Sequence, residues 1–249
     1  MSAVILALIA GAVVGLALGA LGGGGSVLAV PALIYLLGFT PAAATTGGLI
    51  IVTATSLTAL YAHARARHVR WKAGGLFAAA GLLPAAVAGT VAARLPQPVL
   101  TAAFALVAAL AAVRMLRPGR ASAERTTAVR PAKAAGAGAG LGALTGLLGV
   151  GGGFLAVPAL VTVLAFEMQS AVGTSLLVIS ANSVASLATR GATTAGVDWA
   201  VIAPFTGAAI LGAWDGRRLA TKVTGTRLQR TFAVVLLAVA AFMLLDALT

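Results

Sequence analysis

The residues with the clearest chemical potential in this chain are the glycines of two matched turns, Leu21–Ser26 and Leu148–Gly153. A proline follows each turn after about five residues, at Pro31 and at Pro158. Glycine adopts positive φ and lets a ligand or another segment approach the backbone closely, and proline fits the first turn of a helix. Each unit therefore predicts a helix, a glycine turn and a short helix whose first N–H groups could bind an anion. Close helix packing without a ligand is the alternative explanation.

Polar residues near the start of the next apolar segment form a second group that could contact an anion. Thr45–Gly48 in the first half of the chain matches Val172–Ser175 in the second half, and Thr55 matches Asn182. Hydroxyl and amide groups donate hydrogen bonds to anions, but they also cap helices and hold neighbouring helices together. With the turns, they give these predicted substrate-binding residues: Gly22, Gly24, Gly25, Ser26, Thr45, Thr46, Gly149, Gly151, Gly152, Gly153, Gly173, Thr174, Ser175 and Asn182.

Ionisable residues within the apolar segments are scarce, and this scarcity argues against an enzyme. Glu167, Asp215 and Asp246 are expected at segment ends, as interfacial or salt-bridged residues rather than proton carriers. His63 and His68 are assigned to a basic loop, where neither has a second ligand at metal-binding spacing. The chain also contains no cysteine. We therefore predict no catalytic residue, no metal site and no cofactor.

The elements that position these residues must lie in a membrane. Hydrophobic residues make up 60% of the 249 positions and charged residues 9%, whereas a soluble domain carries about 25% charged residues. The apolar segments are 3–20, 27–38, 42–62, 74–93, 97–116, 134–149, 154–165, 170–189, 199–214 and 228–248. Those at 27–38 and 154–165 have about 12 residues, which cover about 18 Å of a hydrocarbon core about 30 Å thick. They are predicted to be half-helices, or helices completed by irregular backbone, that either cross the membrane or re-enter.

The chain contains an internal repeat. When it is shifted by 127 positions, Gly19–Leu33 lies on Gly146–Leu160, and 11 of these 15 positions are identical. The chain therefore divides into a first repeat at 1–116, a basic linker at 117–133 and a second repeat at 134–249. Each repeat has five apolar segments, and an odd number makes the second repeat enter the membrane from the opposite side. This predicts an all-α fold of two inverted repeats, an architecture common among secondary transporters.

The basic residues support this inverted arrangement. With the N-terminus outside, the segments 63–73, 114–133 and 215–230 fall on the inner side and contain 15 of the 17 lysines and arginines. Arg94 and Arg190 are the two basic residues on the outer side. This distribution follows the positive-inside rule and predicts a cytoplasmic linker with both termini outside. It explains the net charge of +12 without nucleic-acid binding, and it favours contact with anionic lipids at the inner face.

Other glycines recur every four residues along one helix face in each repeat. This stripe comprises Gly11, Gly15 and Gly19 in the first repeat and Gly138, Gly142 and Gly146 in the second. Small residues at this spacing let helix backbones approach closely in a membrane. The stripe is therefore predicted to serve helix packing, and a homodimer contact is left open.

These motifs together resemble the TauE/SafE sulfite exporter family. The second half is the better match, with Gly149–Pro158 reading Gly-Val-Gly-Gly-Gly-Phe-Leu-Ala-Val-Pro and Ala171–Leu176 reading Ala-Val-Gly-Thr-Ser-Leu. The first half departs from the second motif, because Ala44–Leu49 reads Ala-Thr-Thr-Gly-Gly-Leu. The resemblance covers nearly the whole chain. It implies a multi-pass carrier in the bacterial inner membrane that moves sulfite, sulfonates or related small organic anions.

The favoured hypothesis is therefore a secondary transporter that works by alternating access around a central anion site. Export is favoured because an inside-negative potential drives anions outward without a coupled ion. The sequence leaves two alternatives, a non-transporting membrane scaffold or assembly factor, and a carrier or channel for another small organic anion. A scaffold would ignore small anions, whereas a transporter would be stabilised by its substrate.

Overall fold

The structure is a computed structural model that describes residues 2–92, 96–116, 131–148, 153–190 and 197–248. The elements within these ranges are helices: α1 (Ser2–Leu21), α2 (Gly24–Pro31), α3 (Pro41–Arg65), α4 (Trp71–Ala92), α5 (Gln97–Leu116), α6 (Pro131–Leu148), α7 (Gly153–Thr162), α8 (Met168–Arg190), α9 (Trp199–Lys222) and α10 (Gly225–Leu248). A π-helical turn, Ala32–Leu36, continues α2. Each helix corresponds to one apolar segment of the sequence, so the predicted all-α fold is confirmed.

Five of the described helices are long and apolar enough to cross a membrane. Their spans are Ala3–Leu21, Ala43–Arg65, Trp71–Ala88, Met168–Ala188 and Gly225–Phe242. Large apolar side chains such as Leu83 and Leu106 are exposed on the outer surface, as expected for a surface that faces lipid rather than water. The chain is a multi-pass membrane protein.

The glycine stripe of α1 packs against α9. A Cβ added at Gly11 would lie 2.3 Å from the carbonyl oxygen of Phe205, and one at Gly19 would lie 2.0 Å from that of Ala213. Such distances leave room for glycine alone, so the two backbones are in direct contact. Because the partner residues advance along α9 as the glycines advance along α1, the two helices run parallel.

The stripe of α6 packs in the same way against α4. A Cβ at Gly138 would lie 2.2 Å from the carbonyl oxygen of Phe77, and one at Gly142 would lie 2.1 Å from that of Gly81. The packing role predicted for the stripe is therefore confirmed for Gly11, Gly15, Gly19, Gly138 and Gly142. Because this face is occupied within the chain, a homodimer would have to use another surface.

Helices α3 and α8, of 25 and 23 residues, cross in the interior of the protein. Near the crossing, the Ser180 hydroxyl donates a hydrogen bond of 3.0 Å to the Ser56 hydroxyl. Toward the end of α3, a Cβ at Gly173 would lie 3.4 Å from the Cβ of His63. Later positions in α3 thus meet earlier positions in α8, so the two helices are antiparallel. They occupy equivalent places in the two halves of the chain.

The remaining contacts pair off when the two halves are exchanged. Helix α1 packs on α9 as α6 packs on α4, and α3 packs on α9 as α8 packs on α4. Likewise, α2 packs on α3 as α7 packs on α8, while α5 and α10 pack on each other. Each long helix therefore finds its main partner in the other half of the chain, and the two halves form a single core.

The short helices confirm the predicted half-helices but correct the position of their prolines. Helix α2 has 8 residues before its π-helical turn, and α7 has 10 residues, about 15 Å at 1.5 Å per residue. Each helix begins at a glycine several residues before its proline, so the proline does not lie in the first turn. Pro31 is the last residue of α2, and Pro158 lies inside α7. Proline lacks the N–H of the helical ladder, and the helix widens into the π-helical turn directly after Pro31.

Candidate functional site

The first glycine turn lies against the second half of the chain. Gly22 has φ +68° and donates its N–H to the carbonyl oxygen of Leu18 at 2.8 Å, which closes the end of α1. A Cβ at Gly22 would lie 2.6 Å from Ser175 Oγ and 3.3 Å from Val157 Cγ2. Glycine is thus required twice, for the left-handed backbone and for the close approach of α8. The structure brings the predicted residues Gly22 and Ser175 together.

The hydroxyls of Thr174 and Ser175 are fully buried, and both make hydrogen bonds to the backbone in this conformation. Ser175 Oγ donates to the carbonyl oxygen of Val172 at 2.8 Å. Thr174 Oγ1 accepts a hydrogen bond of 3.1 Å from the N–H of Arg70, just before α4. These bonds match the packing role that the sequence left open for hydroxyls. Thr174 keeps its own hydroxyl proton for a further partner, because here it acts as an acceptor.

Gly173 serves close packing. A Cβ at this position would lie 2.7 Å from the carbonyl oxygen of His68, in the connection between α3 and α4. Only glycine lets α8 approach this backbone so closely. Gly173 thereby fixes the N-terminal part of α8 against the C-terminal end of α3.

The polar cluster of α3 lies on the other side of the α3–α8 crossing. Thr46 is buried, and it comes ten residues before Ser56, about 15 Å along the helix. Ser175 comes five residues before Ser180, about 7.5 Å along an antiparallel helix and therefore in the opposite direction. Thr45 and Thr46 are thus too far from Thr174 and Ser175 for the four side chains to contact one small anion.

Asn182 lies next to the crossing, two residues beyond Ser180. Its side chain is half-buried, and Oδ1 is buried without a hydrogen-bond partner among the described residues. A buried polar atom in this state costs about 1–3 kcal/mol, so the amide is suited to a partner such as water or a ligand. Asn182 therefore brings unused hydrogen-bonding capacity next to the α3–α8 crossing.

The other predicted residues lie at the starts of the short helices. Gly24, Gly25 and Ser26 form the first turn of α2, and Gly153 is the first residue of α7. Helices α2 and α7 contact each other, so the two short helices lie in one region of the protein. Gly149, Gly151 and Gly152 fall outside the described residues, and the convergence of the two turns stays a prediction.

The sequence assigned His63 to a loop, and the structure corrects this. Helix α3 continues to Arg65, so His63 lies within it, with its side chain only 3% exposed. Likewise, α9 continues to Lys222, so Arg217 is also helical. No glycine or proline follows the apolar run of α3 before Arg65, and Gly216 follows that of α9 without ending the helix; long basic side chains can follow the helix surface toward water. Extending both helices through these residues could have revealed them.

These two residues line a cleft that the sequence did not reveal. The cleft lies among the C-terminal ends of α1, α3 and α9, the start of α8 and the start of α10. Its lining residues are Ala20, His63, His68, Gln169, Val172, Arg217, Ala220, Thr221 and Leu228. Ala20 is two residues from Gly22 in the chain, and Val172 Cα would lie 3.3 Å from a Cβ at Gly22. The cleft therefore adjoins the first glycine turn.

Comparison with known proteins places this geometry in context. The model of the family described as "Sulfite exporter TauE/SafE" matches residues 7–243. Two proteins of Xylella fastidiosa, strains 9a5c and Temecula1, are each named "Probable membrane transporter protein" and are 35% and 34% identical to this chain. Each alignment spans 242 residues, covering 94% of this chain and 92% of the relative. No solved structure matches this chain significantly.

Proposed function

This chain belongs to the TauE/SafE sulfite exporter family, and from this premise we propose that it exports small sulfur-containing anions across the bacterial inner membrane. The substrates would be sulfite and sulfonates such as sulfoacetate. The observation that carries the proposal is the family match over nearly the whole chain, joined to a multi-pass helical structure. Membrane transport itself follows from the family and from the names of the relatives.

The mechanism we propose is alternating access by two inverted repeats. Three observations support it: α3 and α8 are antiparallel, α1 and α9 are parallel, and the remaining contacts exchange between the halves. An inverted repeat requires equivalent helices to point in opposite directions, and α3 and α8 are equivalent. Transport would then consist of movement of one repeat against the other around the α3–α8 crossing.

The orientation we propose places both termini outside and the linker at 117–133 in the cytoplasm. It rests on the positive-inside rule, and two tryptophans mark the two membrane interfaces. Trp71 and Trp199 are the first residues of α4 and α9, and each is 55% exposed. Tryptophan favours the membrane–water interface. In this orientation Trp71 marks the inner interface and Trp199 the outer one, as expected for equivalent residues of inverted repeats.

The substrate site we propose lies between the glycine turns, near the α3–α8 crossing. The first N–H groups of α2 carry a partial positive charge and have no partner within the helix. Gly22 allows close approach to this backbone, and Asn182 offers an amide. Gly149, Gly151, Gly152 and Gly153 would supply the equivalent turn from the second repeat. The two repeats would thus contribute to one anion site.

Export follows from the charge of the substrate. Moving one elementary charge across the membrane changes the free energy by about 2.3 kcal/mol per 100 mV. An inside-negative potential therefore drives a monovalent anion outward without a coupled ion. Uptake would need coupling to H⁺ or Na⁺.

The proposal is tested by flux measurements on the purified protein in proteoliposomes. Sulfite and sulfoacetate should move with saturable kinetics, and an imposed potential that is negative on the loaded side should speed their release. The variants Gly25→Val and Gly152→Val should abolish flux while the protein stays inserted. Non-saturating conductance would indicate a channel. Absence of both flux and anion-dependent stabilisation would instead favour a scaffold, and flux that survives both substitutions would overturn the proposed site.

A further inference from the structure

The cleft lined by His63 and Arg217 combines burial, positive charge and unused hydrogen-bonding atoms. His63 is 3% exposed, and its Nδ1 has no hydrogen-bond partner among the described residues. Arg217 Nε is likewise buried without a partner. Unsatisfied polar atoms are rare in protein interiors. Two of them on one cleft therefore indicate that a water or a ligand completes it.

The charge of Arg217 determines the class of ligand. The neighbouring arginine, Arg218, is exposed and pairs with Asp215 at 3.3 Å. Asp215 is the acidic residue nearest to Arg217 in the sequence, and Arg217 makes no salt bridge within the described part of the chain. A half-buried guanidinium without a carboxylate partner favours an anion, and its planar array of donors suits the oxygens of an oxyanion.

The histidine adds a second polar group. His63 Nε2 lies 3.4 Å from the carbonyl oxygen of Gly19, which can only accept a hydrogen bond. Nε2 therefore points its N–H at the end of α1, and Nδ1 is left in the cleft as a hydrogen-bond acceptor. Gln169 and Thr221 line the same cleft, although the Thr221 hydroxyl donates to the carbonyl oxygen of Arg218 at 2.8 Å.

We propose that this cleft is a loading site for a small oxyanion, with Arg217 as the main ligand and His63 beside it. The inference rests on the proposed function, because it takes the same substrate class and the same orientation. In that orientation the cleft opens toward the cytoplasm, and it adjoins the Gly22 turn through Ala20 and Val172. An exported anion would meet Arg217 first and then pass to the turn between the repeats.

The experiment compares two adjacent arginines that differ in their surroundings. Binding of sulfite, sulfate and methanesulfonate to the purified full-length protein in nanodiscs is measured by calorimetry for Arg217→Gln and for Arg218→Gln. Hydrogen bonds to charged groups are strong enough that Arg217→Gln should raise Kd about tenfold or more. Arg218→Gln removes the same charge from the same helix and should change Kd by about twofold or less, as for an exposed ion pair.

The outcomes separate this inference from the proposed function. Equal effects of the two substitutions, or no effect of either, would overturn the loading site, even where the wild type still shows saturable flux. Failure of the wild type to bind any of the three anions would overturn both the loading site and the proposed substrate class. If Arg217→Gln does not insert into the membrane, Arg217→Lys and Arg218→Lys are compared instead, because each substitution keeps the positive charge. Arg217→Lys alone should then weaken binding, because lysine lacks the planar donors of arginine.

Discussion

The contact between Gly22 and Ser175 can be tested by a set of three substitutions. Gly22→Ala adds a Cβ at φ +68°, 2.6 Å from Ser175 Oγ. Gly38→Ala is the matched control, because Gly38 has φ +70° and no atom would lie within 4 Å of its Cβ. Gly38→Ala therefore has the free-energy cost of the left-handed backbone without the steric contact. Ser175→Ala removes the Oγ atom that the Cβ added at Gly22 would contact.

The expected magnitudes follow from these two terms. A left-handed conformation costs a non-glycine residue about 1–2 kcal/mol, so Gly38→Ala should lower the free energy of unfolding by this amount. Gly22→Ala should cost about 1–3 kcal/mol more, the range for overpacking a filled site. Ser175→Ala combined with Gly22→Ala should recover part of that excess. The coupling should be about 0.5–3 kcal/mol, and incomplete because Val157 and Val172 remain close to the added Cβ.

The measurement is equilibrium unfolding in mixed detergent micelles, followed by the fluorescence of the three tryptophans. Flux in proteoliposomes is measured on the same samples, where Gly38→Ala should transport normally and Gly22→Ala should not. Equal destabilisation by Gly22→Ala and Gly38→Ala would refute the reasoning, since it would mean that α8 does not approach the turn closely. Loss of flux in Gly38→Ala would show that backbone strain alone, rather than this contact, impairs transport.

Three further predictions concern packing and topology. Gly15→Leu should prevent stable folding, because its Cβ would lie 2.0 Å from a backbone oxygen of α9. Gly140→Leu should be tolerated, because no atom would lie within 4 Å of its Cβ. Size-exclusion chromatography in detergent distinguishes a folded variant from an aggregated one. Ser56→Ala should destabilise the α3–α8 crossing by about 0.5–1.5 kcal/mol, measured by the same unfolding assay, and no change would mean that the serine pair is not formed. The absence of cysteine makes the chain ready for labelling of single cysteines in whole cells. An impermeant maleimide should label Val197→Cys but not Arg120→Cys, and the reverse pattern would invert the proposed orientation.

Much of the fold could be predicted because the membrane makes the sequence pattern simple. Each described helix corresponds to an apolar run, and the two short helices were visible from their length alone. The ends of α3 and α9 were missed because a hydropathy pattern stops at the first charged residues. His63 and Arg217 lie just beyond those limits, in helices that continue to Arg65 and Lys222.

The candidate site was less accessible to sequence reasoning than the fold. The glycine pattern identified Gly22 correctly as a position that requires glycine. Its partner could not be read from the sequence, because Ser175 belongs to the other half of the chain. The same holds for the hydrogen bond from Arg70 to Thr174, which joins residues 104 positions apart. Long-range contacts of this kind depend on how the helices are arranged, and a repeat pattern alone does not give that arrangement.

The closeness of Gly22 to Ser175 also indicates which state the structure represents. A single added carbon at Gly22 would be only 2.6 Å from Ser175 Oγ, so an anion has no room between the turn and α8 at this point. The cleft beside it has an accessible volume of about 10 Å³, room for about one water molecule, and the Nε of Arg217 is buried there without a partner. In the proposed mechanism, the protein is therefore closed at the first turn, with the Arg217 cleft next to the closure. Because Gly22 and Ser175 belong to different repeats, movement of one repeat against the other would open this contact and connect the cleft to the turn.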